Sequence, residues 1–80
     1  MREDLKYKKT AEILGWEIVD PYIRDNPYSF RKNDKTIWYC CKGWACAELN
    51  NNRYENHRYY DLLLDALHKE NKPNVLSKID

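Results

Sequence analysis

Between Tyr28 and Tyr39 large apolar side chains stand at alternate positions on either side of a polar tetrad, Lys32-Asn33-Asp34-Lys35. Alternation is the strand period, and Asx residues between two such runs favour a tight reversal. The segment therefore reads as a hairpin. With Asn33-Asp34 as the loop, Phe30 opposes Ile37 and Tyr28 opposes Tyr39, which gathers four large side chains on one face and Ser29, Arg31, Thr36 and Trp38 on the other. An isolated ribbon of this kind is at best marginal in water, so the rest of the chain must cover it.

The flanking segments supply that cover. From Arg2 to Leu14, Tyr7, Ala11 and Leu14 fall at helical spacing, and Gly15 offers a left-handed stop. Trp16 to Val19 reads as a brief strand closed by Asp20-Pro21, and the stretch from Pro21 to Pro27 reads as turns. Lys42-Gly43 can reverse the chain into a further strand, Trp44 to Glu48, although Ala45 to Leu49 also fits a short helix; the strand is preferred. Asn50-Asn51-Asn52-Arg53 is expected to break regular structure. From His57 to Glu70 the sequence predicts a helix, with Asn56 as N-cap and Tyr59, Tyr60, Leu63, Leu64 and Leu67 as its apolar stripe, widened by Leu62 and Ala66. Asn71-Lys72-Pro73 ends it, leaving residues 73–80 as a tail in which Val75, Leu76 and Ile79 are apolar.

The expected architecture is one α+β domain over residues 1–72: an N-terminal helix, a small antiparallel sheet of about three strands, and a C-terminal helix packed on the sheet. A chain of 80 residues has room for one modest core. No run approaches the ~18 apolar residues of a membrane span, and Met1-Arg2-Glu3-Asp4 lacks a secretory signal's apolar stretch, so a cytoplasmic protein is expected.

Catalysis finds little support. Gly15 and Gly43 are the only glycines, which leaves no phosphate-cradling loop, and neither H-E-x-x-H nor G-x-S-x-G occurs. Cys40, Cys41, Cys46, His57 and His68 include the atom types of a zinc site. Adjacent cysteines on a strand point to opposite faces, however, unlike the paired knuckles of structural zinc sites. An odd number of cysteines with two adjacent is also a poor disulfide framework, so reduced thiols, no metal and no cofactor are expected.

Two binding roles remain. Fourteen Lys and Arg against thirteen Asp and Glu leave a formal charge of +1, so any grip on nucleic acid must be local. Arg31, Lys32, Lys35 and Lys42 lie near Trp38 and Trp44, and Arg53, His57 and Arg58 form a second basic group. Together with exposed rings these cations suit stacking on bases. The other role draws on the aromatic excess, seven Tyr, three Trp and one Phe. Short helices cannot cover both faces of a sheet, so some of Tyr22, Trp38, Trp44 and Tyr54, the candidate contact rings, are expected near the surface as contacts to another protein or to a second copy. The protein-binding role is preferred, with nucleic-acid binding as the alternative.

The run Ala11-Glu12-Ile13-Leu14-Gly15-Trp16, the Trp38-Tyr39 strand and the later Tyr59-Tyr60-Asp61-Leu62-Leu63-Leu64-Asp65-Ala66-Leu67 segment together resemble the small phage and prophage proteins grouped as phage ABA-sandwich domains, over residues 8–70. The resemblance implies a phage or mobile-element origin, a bacterial host cell, and action by binding a host protein, for example as an inhibitor of a defence system. It carries no catalytic residue with it.

Overall fold

Phe30 pairs with Ile37 and Arg31 with Thr36 across the Asn33-Asp34 loop, the register that the alternation predicts. The computed structural model describes residues 2–71, and in it this hairpin is the centre of a larger sheet. The elements are α1 (Glu3–Lys6), α2 (Lys8–Ile13), β1 (Glu17–Val19), β2 (Ser29–Lys32), β3 (Lys35–Cys40), β4 (Gly43–Asn50), β5 (Arg53–Tyr60) and α3 (Leu63–Lys69). The strands form one antiparallel sheet in sequence order, so the fold is α+β with five strands where about three were expected.

One strand beyond the hairpin and β4 is β1, the brief strand read at Trp16 to Val19, which pairs Ile18 with Phe30. The other comes from the segment expected to begin the last helix. Asn51 and Asn52 adopt left-handed conformations, with φ of 54° and 66°, and form a two-residue reversal that returns β5 along β4 from the Asn50–Arg53 pair. Asparagine tolerates this region better than other side chains, and consecutive left-handed residues match strand twist. The polar run thus reverses the chain where it was expected to end order. Tyr54, His57, Tyr59 and Tyr60 are at home in a strand, and the apolar stripe read across Tyr59 to Leu67 joins the end of that strand to a helix of only seven residues. Asn56, expected as the N-cap, sits within β5 at φ 61° beside a register shift, with one more residue on β5 than on β4 between the Cys46–Arg58 and Glu48–Glu55 pairs.

The N-terminal helix is divided at Tyr7, whose backbone leaves the helical region. On one side of the break, the buried Asp4 carboxylate accepts the Tyr28 N–H at 3.0 Å and pairs with Arg2. On the other, α2 ends in a Schellman motif: Trp16 N–H donates to Ala11 O, Gly15 N–H donates to Glu12 O, and Gly15 has φ 96°. Gly43, at φ 104°, is required for a second reason, because a Cβ there would lie 2.5 Å from Tyr60 O. The loop between β3 and β4 is Cys41-Lys42, one residue earlier than expected, and β4 is a strand rather than the alternative helix. Tyr28 stands just outside the β2–β3 ladder, so its expected pairing with Tyr39 is absent.

The core lies between one sheet face and the helices. Phe30, Ile37, Trp44 and Cys46 from the strands meet Ala11 and Trp16 from the N-terminal segment and Leu63, Ala66 and Leu67 from α3. Indole N–H groups fasten the layers together, Trp16 to Leu67 O at 3.3 Å and Trp44 to Glu3 Oε1 at 2.8 Å. The expected tail over residues 73–80 lies outside the described residues. No helix among the described residues is long and apolar enough to cross a membrane.

Candidate interaction face

Because all the helices pack on the face that holds Phe30, Ile37 and Cys46, the residues offset by one along each strand occupy a face that no described element covers. On β3 these are Thr36 and Trp38; on β4, Ala45, Ala47 and Leu49; on β5, Tyr54, His57 and Tyr59. Tyr54 and His57 are three residues apart and in a regular strand would point to opposite faces. The extra residue at Asn56 restores the phase, so Tyr54, His57 and Tyr59 all project from the same side.

These side chains form a continuous aromatic ridge. Trp38 lies 5.4 Å from Tyr54 and, edge to face, 5.9 Å from His57, while His57 stacks at 6.4 Å on Tyr59. The Lys42 ammonium lies 5.0 Å above the Tyr59 ring. Trp38 stands on β3 and the others on β5, so they meet across β4, whose intervening Ala45 and Ala47 are fully buried beneath them. Small residues at these two positions are what allow rings two strands apart to touch. Leu49, Tyr54 and Tyr59 each remain 43–48 % exposed. Beside the ridge a trough of about 350 Å³ runs over Val19, Ser29, Arg31 and Thr36.

Of the rings expected at the surface, Trp38 and Tyr54 are part of this ridge, and Tyr22 projects into solvent from the loop after β1. Trp44 is a correction: at 2 % exposure it belongs to the core, because its position in β4 faces the helices. His57, Tyr59 and Leu49 are contact groups that sequence reasoning did not assign to this face. The signal for the two on β5 was their alternation across Arg58, which the helical reading of the segment concealed.

The basic residues divide between the two faces. Arg31 and Arg53 are exposed, as is Lys42 above Tyr59. Lys32, Lys35 and Arg58 are corrections to the nucleic-acid assignment, because each is held on the helix side. The Lys32 ammonium donates to Leu14 O at 2.9 Å and to Asn71. Lys35 is buried, donates to Glu70 O at 2.9 Å, and has the Glu70 carboxylate at 3.6 Å. Arg58 grips Glu70 through Nε and Nη2 at 2.8 and 2.9 Å, and Glu48 through Nη1 and Nη2 at 3.0 and 2.7 Å. It also donates to the Asn56 carbonyl oxygen, which ties the bulge to the network.

The hydrogen bonds from Arg58 lower the Glu48 carboxyl below its ordinary range. Burial alone would raise Glu70, but hydrogen bonds from Arg58 and Tyr60 outweigh it and hold that carboxyl low as well. The Cys46 thiol, 3.3 Å from Arg58, is pushed up to about 12 by burial and by the Glu70 charge, which makes it a poor nucleophile. Among the described residues no three His, Cys, Asp or Glu side chains converge in a way that could hold a metal. Cys46 lies on the covered face and His57 on the open one, so the sheet separates these two candidate ligands.

Comparison of the chain with protein-family models, curated proteins and solved structures finds no match.

Proposed function

We propose that this protein is a non-enzymatic protein-binding module and that its contact surface is the uncovered face of the sheet. A single observation carries this: Trp38, Tyr54, His57 and Tyr59 form a joined ridge on the face opposite the helices, with Leu49 exposed beside it. Aromatic groups clustered at the centre of a patch are the usual energetic anchors of protein interfaces, and an apolar patch left in water favours association. Nucleic acid is the weaker reading. The rings spend part of their faces and edges on one another, and only Arg31, Lys42 and Arg53 of the six basic candidates remain available to phosphate. The resemblance to phage ABA-sandwich proteins extends the proposal to a phage or mobile-element protein that acts on a host protein, for example in a defence system, and that extension rests on the resemblance alone.

A photo-crosslinking amino acid placed at Tyr54 tests the proposal whatever the identity of the partner. The expected product is a covalent adduct with polypeptide, absent when the same group replaces the exposed Leu62 outside the ridge. An adduct with nucleic acid, or no adduct from position 54, would refute it.

A further inference from the structure

We propose that the occupant of the open face is the same face of a second copy, the two related by a twofold axis lying in the contact plane and parallel to the strands. This deepens the protein-binding proposal and rests on it. The relief of the face is uneven in a way that suits such an axis. The ridge of Trp38, Tyr54 and Tyr59 leans toward β5, and from its Tyr54 wall across to Val19 and Ser29 on the β1 side the face sinks into the trough of about 350 Å³. Rotation about this axis turns the β5 side of each copy over the β1 side of the other. Each ridge then enters the opposite trough, so the contact is made twice and closes on itself.

Extent and charge agree with this occupant. The strands run three, four, six, eight and eight residues, so at ~4.8 Å spacing and ~3.4 Å rise per residue the face covers roughly 470 Å². That is smaller than the ~800 Å² per partner of a standard interface and suits a weak, concentration-dependent association. The register places Glu17 beside Arg31 on this face, and the chain carries only +1, so two copies meet without a like-charge penalty. Arg31 lines the trough, where an entering ring of the second copy meets a guanidinium, a favourable pairing.

Sedimentation equilibrium of the full chain tests this, in reductant because Cys41 is exposed, from about 10 μM to about 1 mM, the range in which a contact of this size saturates. The expected mass approaches twice the 9.7 kDa of the chain. Thr36→Trp, which fills the trough, and Tyr54→Glu, which charges the ridge, should each weaken association by about tenfold or more while circular-dichroism melting shows the fold retained. If one variant does not fold, the other decides. A monomeric wild type at every concentration overturns the dimer, as does a dimer equally strong in the variants that fold. A monomer that still forms polypeptide adducts from position 54 in cells loses the self-association and keeps the protein-binding role; one that forms none loses both.

Discussion

The rings of Trp38 and Tyr54 lie 5.4 Å apart although a whole strand separates the strands that carry them. Ala45 and Ala47 on that strand make the contact possible, and the bulge at Asn56 turns Tyr54 and His57 to the same side. The open face is thus the joint product of two small side chains and one irregular residue.

Enlarging the floor of the ridge should separate its walls. Ala47→Leu is expected to part Trp38 from Tyr54 and to cost about 1–3 kcal/mol through overpacking. Near-ultraviolet circular dichroism should lose the Trp38 share of its tryptophan signal, the part that Trp38→Phe also removes, while the signal of Trp16 and Trp44 and the far-ultraviolet spectrum persist; urea unfolding gives the cost.

The Arg58 network sets a sign for pH dependence. Glu48 and Glu70 titrate below their ordinary range in the folded chain, so the stability they contribute is fully present above the unfolded value of about 4.3 and is lost as pH falls through the folded values. Unfolding free energy should therefore decline from about pH 5 downward. Arg58→Met should weaken or reverse that dependence, since burial then pushes the Glu70 carboxyl upward, and should destabilise by roughly 2 kcal/mol at neutral pH, less than the ~3–5 kcal/mol of a fully buried pair because Arg58 is partly exposed. Urea titrations at several pH values check both statements.

Gly43 admits no side chain. Gly43→Ala places a Cβ 2.5 Å from the Tyr60 carbonyl oxygen and forces a positive φ on alanine. A loss of about 1–3 kcal/mol is expected, against the gain that a permissive Gly→Ala change gives. Thermal melting reads the difference.

Polyanion binding should be feeble. With Arg31, Lys42 and Arg53 as the available cations of the six candidates, the logarithmic salt slope of single-stranded DNA retention should not exceed about 2, at ~0.7 per phosphate neutralised. A steeper slope would mean that cations on the helix side also reach the strand.

The centre of the fold was legible because its signals were local. Phe30 and Ile37 alternate about an Asx pair, and Gly15 follows a helical stripe, so one segment sufficed to place each. β5 was not legible in the same way. Tyr59, Tyr60, Leu63, Leu64 and Leu67 satisfy helical spacing even though the first two lie in a strand, and only pairing with the distant β4 decides between the periods. Trp44 was misplaced for a related reason: which face of β4 is buried depends on the side the helices choose, and that choice is tertiary. Lys35 and Arg58 look like surface charge in the sequence because their carboxylate partner, Glu70, is contributed by the end of α3.

Whether the open face serves binding is decided by the unfolding free energy of the double variant Tyr54→Ser, Tyr59→Ser, measured in urea at a concentration where the chain is monomeric. Rings that are half exposed and serve a contact surface should cost the fold little when removed, about 1.5 kcal/mol or less for the lost ring contacts. A loss above about 3 kcal/mol, the range of emptied core positions, would show that these tyrosines belong to the interior and would contradict the assignment of the open face to binding.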